Sequence, residues 1–155
     1  MTVRDVRGFS VIELVVVITI LAILAAVAIP KYASFEASSR SAAVNALAAI
    51  VGSAASTGRN AAVEQGIAGC PGAVTLLGQT LSFCYYYPDS SAINAMVNAN
   101  STDTANFSFA AGASNAVAST WQFSSASTPA ACAVSYTPPQ AAGSSPAIVA
   151  MTSGC

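Results

Sequence analysis

A single carboxylate, Glu13, interrupts an otherwise apolar run, GFSVIELVVVITILAILAAVAI, at residues 8–29. A charged side chain at the centre of a bilayer-length helix costs about 2.5–3.5 kcal/mol on insertion scales, so Glu13 demands a partner. Charge pairing in apolar surroundings is therefore the first chemistry the chain offers. Thiol chemistry is the second. Cys70, Cys84, Cys132 and Cys155 form an even set, without a C-x-x-C pair and in a chain with no histidine. A zinc site would need four thiolates from separate loops, so disulfides are expected if this segment lies outside the cytoplasm. Hydrolytic chemistry lacks its parts. There is no histidine base, no G-x-S-x-G elbow and no close carboxylate pair beyond the first few residues, so the chain is not expected to be an enzyme.

The element that carries Glu13 must be a helix. Phe9 to Ile29 is 21 residues, which at about 1.5 Å per residue spans roughly 31 Å, close to the hydrocarbon thickness of a bilayer. Arg4 and Arg7 precede it against Asp5, and no basic residue falls between Phe9 and Lys31. Basic flanks stay on the cytoplasmic side, so the N-terminus is expected inside and the rest of the chain exported. An ordinary signal peptide would have a shorter core ending in small residues at a cleavage site. Here Ala25, Ala26 and Ala28 run on into a helix that continues.

Gly8-Phe9 followed by Ser10-Val11-Ile12-Glu13 and the long apolar run resembles the class III signal of type IV prepilins and related pseudopilins. The resemblance implies that residues 1–8 are a leader, that a prepilin peptidase cuts after Gly8 on the cytoplasmic side, and that the new N-terminal Phe9 is N-methylated. It implies that Glu13 pairs with the Phe9 ammonium of a neighbouring subunit during filament assembly. Physical reasoning supports such pairing: each charge is desolvated in an apolar surrounding, and removing one partner strands the other at about 3–5 kcal/mol. The implied partners are copies of the chain in a helical filament, the peptidase and N-methyltransferase, the assembly platform with its ATPases, and the bacterial inner membrane before assembly. The implied destination is an extracellular pilus. The chain has no nucleotide-binding loop of its own, and nothing points to a cofactor or a bound metal.

Pro30 stands where the apolar run gives way to Lys31 and Tyr32. It removes a backbone donor and crowds the preceding turn, which predicts a kink or local melting there. The next stretch, KYASFEASSRSAAVNALAAIVGSAASTGR, places Tyr32, Phe35, Val44, Leu47, Val51 and Ala55 near helical spacing. This predicts an amphipathic continuation ending between Gly58 and Gly69, for about 50 helical residues in all. The expected domains are a leader at 1–8, a membrane and filament-core helix at 9–30, and a globular head at 31–155 that includes the amphipathic half.

Beyond the helix, turn signals bound five strand candidates: Ala73–Leu77, Gln79–Tyr87, Thr120–Ser124, Ala131–Thr137 and Ala147–Thr152. Ser90–Val97 reads as a short helix capped by Ser90 or Ser91, and Asn98–Asn106 as a polar loop. The expected fold is α+β: a long N-terminal helical spine packed on an antiparallel β-sheet head stapled by disulfides. Three cysteine connectivities are possible. Cys70–Cys84 and Cys132–Cys155 are favoured because each closes a short segment containing a strand reversal, with roughly 3 kcal/mol of chain-entropy stabilisation per bridge.

The succession YYYPDSSAINAMV, TWQF, ACAVSYTPP and Cys155 also resembles the mannose-sensitive haemagglutinin class of type IVa major pilins, which implies a role in surface attachment. The chain departs from that class in its Cys70 and Cys84 pair, and no sugar-binding residue carries over. Composition suits a subunit covered by its own copies, with 54% hydrophobic and 7% charged residues. Loss of residues 1–8 would leave three basic and five acidic side chains. Lys31, Arg40 and Arg59 are scattered, so direct nucleic-acid binding is not expected. The aromatics Phe9, Tyr32 and Phe35 are better explained by packing than by electron transport. The sequons at Asn100 and Asn106 arise readily from composition. The expected function is a structural subunit of a type IV pilus serving adhesion, motility or DNA uptake. The alternatives are a pseudopilin of a type II secretion system and a single-span anchored binding protein that does not polymerise.

Overall fold

The computed structural model describes residues 8–76, 78–100 and 103–155. The fold is α+β. A 54-residue helix α1 (Val11–Glu64) is followed by strands β1 (Gly72–Leu76), β2 (Gln79–Cys84) and β3 (Tyr87–Pro88), and then by helix α2 (Ala92–Asn100). Strands β4 (Phe107–Ala110), β5 (Ser119–Phe123), β6 (Ala133–Thr137) and β7 (Ala147–Met151) complete the chain, with single 3₁₀ turns at Asp103–Asn106 and Pro129–Ala131. Two compact units divide at Ala37 and Ser38.

In the first unit α1 is apolar on every side and exposed on every side, from Val11 and Leu14 through Leu24 and Ile29. Helix continues through Pro30, so no melted turn interrupts α1. The proline has no N–H to offer the Ala26 carbonyl one turn back. Tyr32 and Phe35, 73% and 71% exposed, do not join the buried stripe that their spacing predicts. That stripe begins at Val44.

In the second unit α1 buries Val44, Leu47, Val51, Ala54, Ala55, Gly58 and Ala62. This is the i, i+3, i+4 pattern of a helix with one face on a core. Its partners in the core include Val74, Phe83, Ile93, Met96, Trp121, Val134 and Tyr136. The helix ends where the sequence places it, in a Schellman turn. Gly66 takes φ +69°, its N–H bonds to the Val63 carbonyl, and the Ile67 N–H reaches back to Ala62 at 2.9 Å. Gly58 has a different use from the helix weakening its residue type suggests. A Cβ there would lie 2.8 Å from Cγ of Pro88 and 3.0 Å from the Met96 methyl, so glycine lets α1 approach β3 and α2 closely.

The strands form two antiparallel sheets, β1-β2-β3 and β4-β5-β6-β7. The sequence places Gln79–Tyr87 in one strand, but Tyr85 and Tyr86 both adopt positive φ and turn the chain so that Cys84 pairs with Tyr87. A two-residue hairpin turn needs that backbone, although Asn-Gly is its usual sequence. Strand β4 forms where the sequence reading places no strand. Its alternation, FSFA, is visible only once Phe107 faces Phe123 and Phe109 faces Trp121 across the ladder, with ring centroids 5.1 and 4.9 Å apart. The open edge of β1 is covered by Gln65, whose side-chain amide both donates to the Thr75 carbonyl and accepts the Thr75 N–H at 3.0 Å. An amide paired in this way occupies hydrogen-bonding groups that an edge strand would otherwise present to another chain.

Both favoured disulfides are present, Cys70–Cys84 and Cys132–Cys155. The second fastens the last residue, whose carbonyl also accepts a hydrogen bond from Nη1 of Arg40 at 2.8 Å. Helix α2 is capped by Asp89 and not by either serine. Oδ1 of Asp89 accepts the N–H groups of Ser91 and Ala92, each at 2.8 Å, and the Ser91 hydroxyl at 2.7 Å. Ser90 instead turns its hydroxyl to the carbonyl of Ser114. Partial burial pushes the Asp89 carboxyl up, but the hydrogen bonds from Ser91, Ser82 and Ala92 together outweigh it and hold the carboxyl below its ordinary value.

Two predictions follow the packing. Gly58→Val should destabilise the protein by about 1–3 kcal/mol, because the rigid Pro88 ring cannot yield to the added atoms. Unfolding in denaturant followed by Trp121 fluorescence would measure it, and an unchanged midpoint would mean that α1 can back away. Asp89→Ala should cost about 1 kcal/mol at neutral pH through loss of the cap. A depressed folded-state value means that the stability from ionised Asp89 is present above its unfolded value and is lost as pH falls through the folded one. The difference between wild type and variant should therefore shrink as pH drops below 3.8, and a gap that persists at low pH would remove the charged cap from the account.

Candidate functional site

Gly8, Phe9 and Glu13, singled out by sequence, lie together at the start of α1. Gly8, Phe9 and Ser10 precede the helix, and Val11 opens it. Ser10 is the N-cap by position, since its carbonyl accepts the Leu14 N–H at 3.2 Å. The Glu13 carboxylate, three residues on, reaches back and accepts the Ser10 N–H at 2.9 Å. This is the acidic half of a capping box, and its S-x-x-E signature is written in Ser10 to Glu13. The same carboxylate sits in the first helical turn, where the helix dipole favours negative charge. Among the described residues, then, Glu13 finds a local backbone partner in the Ser10 N–H.

Around that carboxylate the surface is apolar. Phe9, Ile12, Glu13, Val16 and Val17 line one open groove along a single helix face. Phe9 is 83% exposed. A positive charge reaching Glu13 along this face would be stripped of water by aliphatic side chains, which strengthens the attraction and raises the cost of leaving either charge alone.

Among the described residues, nothing lies within 4 Å of where a Cβ on Gly8 would stand. Pro30 lies inside the helix, and the four cysteines lie far along the chain, paired in the second unit. The site residues named from sequence therefore separate into an N-terminal group at 8–13, a helix-interior proline and two structural bridges.

Sequence reasoning missed several polar contacts in the second unit. Asn115 donates from Nδ2 to Sγ of Cys84 at 3.0 Å. The Arg59 guanidinium lies 5.8 Å from the Tyr87 ring centroid. The Tyr136 hydroxyl donates to the Pro88 carbonyl at 2.7 Å, and burial, with the nearby charges of Tyr87 and Asp89, drives its ionisation well above the ordinary tyrosine range. Each joins residues 25 or more positions apart or depends on a turn geometry, so no local spacing signals it.

Residues 3–29 match the family description "prokaryotic N-terminal methylation motif". Neither the curated proteins nor the solved structures yielded a match to the chain. The motif is of a structural, pilin type, not that of an enzyme family. It implies processing by prepilin peptidase and assembly into pilus-like systems, and together with α1, which among the described residues is long and apolar enough to cross a membrane, it is consistent with membrane anchoring before assembly. With Gly8 and Phe9 ahead of the helix and Glu13 in its first turn, residues 3–29 of the chain carry a prokaryotic N-terminal methylation motif.

Proposed function

We propose that the chain is the structural subunit of a type IV pilus. Residues 1–8 are a leader removed by cleavage after Gly8, Phe9 becomes the N-methylated terminus, residues 9–30 form the membrane and filament-core helix, and residues 31–155 form the exported head. The observation that carries this reading is Glu13: one carboxylate on an exposed apolar helix face, one turn from the future N-terminus, held among the described residues by the Ser10 N–H. Before cleavage the capping contact partly compensates the charge. After cleavage the ammonium of Phe9 in a neighbouring copy supplies the cation, and the apolar sides of the two helices exclude water from the pair.

The pseudopilin alternative is less well supported. Heads of the major pseudopilin type commonly bind calcium through carboxylates in a C-terminal loop, and after Glu64 this chain has only Asp89 and Asp103. Asp89 is committed to capping α2. The likeness to mannose-sensitive haemagglutinin pilins favours attachment to surfaces over the other uses of a pilus.

Intact mass of material sheared from the source cells tests the reading. The expected mass lacks residues 1–8, carries one added methyl group, and rises by four hydrogens on reduction of the two bridges. A full-length mass confined to membranes of cells that contain the peptidase would overturn it. Gly8→Val should leave the precursor uncut, since the peptidase's demand for glycine is not met; efficient cleavage at that variant would sever Gly8 from the processing step. Glu13→Val should still be inserted and cut but should lower the yield of sheared filament at least tenfold, as expected from an unpaired ammonium. Normal filaments made only of that variant would take Glu13 out of assembly.

A further inference from the structure

The two disulfides differ in what surrounds their sulfurs. Cys132 is fully buried and Cys155 half-buried, and the Arg40 contact there engages the Cys155 carbonyl. In the other bridge, Cys70 is exposed while Cys84 is fully buried. Nδ2 of Asn115 donates to Sγ of Cys84 at 3.0 Å and stands 3.9 Å from Sγ of Cys70. Asn115 is itself fixed in place. Its Oδ1 accepts the Ser90 N–H at 3.3 Å, and its backbone carbonyl accepts a hydrogen bond from the Gln140 amide.

Thiol–disulfide exchange depends on which sulfur can be reached and on how well the other sulfur leaves as a thiolate. Here the exposed cysteine and the sulfur with the closer hydrogen-bond donor belong to opposite ends of one bridge. We infer that Cys70–Cys84 is a thiol-exchange site at which a low-molecular-weight thiol becomes attached to Cys70. The thiolate of the incoming molecule attacks Sγ of Cys70, forming a mixed disulfide and breaking the Cys70–Cys84 bond. The electron pair of that bond leaves with Sγ of Cys84, whose thiolate receives the Asn115 N–H in a site where burial would otherwise disfavour the charge. Cys84 then takes a proton from solvent, or attacks the mixed disulfide and expels the thiol again. No net oxidant is consumed. The head tolerates the opening because β1 and β2 remain joined by their own ladder from Gly72↔Phe83 to Leu76↔Gln79. The adduct is displayed on the surface at the start of the β1–β2 hairpin. This site is independent of the pilus reading.

The test is limiting reduced glutathione added to the folded full chain in mild detergent, followed by acid quenching, alkylation and peptide mass mapping. The expected first product carries glutathione on Cys70 and an alkyl group on Cys84, with Cys132–Cys155 intact. Asn115→Asp keeps the acceptor for Ser90 but replaces the donor, and it should slow that exchange on the order of tenfold while leaving exchange at Cys132–Cys155 unchanged as an internal control. A first adduct on Cys84, Cys132 or Cys155, equal reactivity of the two bridges, or an unchanged rate in Asn115→Asp would overturn the inference. The position of the first adduct in the wild-type chain decides the matter even if the variant fails to fold.

Discussion

The controlling constraint is apolar surface that the chain does not cover. Between Val11 and Ile29 helix α1 exposes large aliphatic side chains around its whole circumference, with Leu14, Ile18, Leu21 and Leu24 more than half exposed. At about 25 cal/mol per Å² of apolar area removed from water, such a segment has a strong drive toward lipid or toward other copies of itself. The lone carboxylate at Glu13 then sets where that drive is satisfied. A bilayer or an apolar helix bundle accepts every residue of the segment except this one, so the site of charge compensation fixes the register of whatever the helix packs against.

In the second unit a different contact organises the structure. The corner from Pro88 to Ser90 meets α1, α2 and both sheets. Gly58 of α1 sits against the Pro88 ring, the Tyr136 hydroxyl from β6 donates to the Pro88 carbonyl, Asp89 caps α2, and the Ser119 hydroxyl from β5 donates to the Ser90 carbonyl at 2.8 Å. The Trp121 indole adds a bond from β5 to Asn94 of α2 at 3.1 Å. Satisfied polar groups thus join two sheets that share no ladder, and they do so in a core where an unpaired hydroxyl or carboxylate would be costly. The disulfides fasten the two hairpin regions on either side of this corner, which suits a head with too few charges to build ion-pair networks.

A head of this composition also manages its edges. Gln65 closes β1 with a side-chain amide that imitates a strand, and the bulky Tyr85 and Tyr86 hold a turn that glycine would make more easily. Both features place polar or aromatic groups where an open strand edge or a flexible loop would otherwise be presented to solvent. For a chain expected to crowd against itself, keeping unwanted strand pairing away from the head leaves association to the helix.

The sequence alone determined the properties that depend on local order and on composition. The apolar run with Glu13 inside it, the Gly8-Phe9 junction and the length of α1 follow from residue types counted along the chain, because helix period and bilayer thickness are fixed lengths. The S-x-x-E cap from Ser10 to Glu13 is equally a local pattern, since its partners stand three residues apart. Three cysteine pairings were open to the sequence, which favoured the two that close short segments with a strand reversal, and those bridges formed. Tertiary structure decided the rest. Only the approach of α1 to Pro88 turns Gly58 from a helix-weakening residue into a packing requirement. Strand β4 exists through the pairing of its two phenylalanines with rings on β5. Asn115 meets Cys84 from 31 positions away. Such contacts depend on chain segments brought together by burial, and neither residue type nor spacing encodes which segments those are until the core has formed.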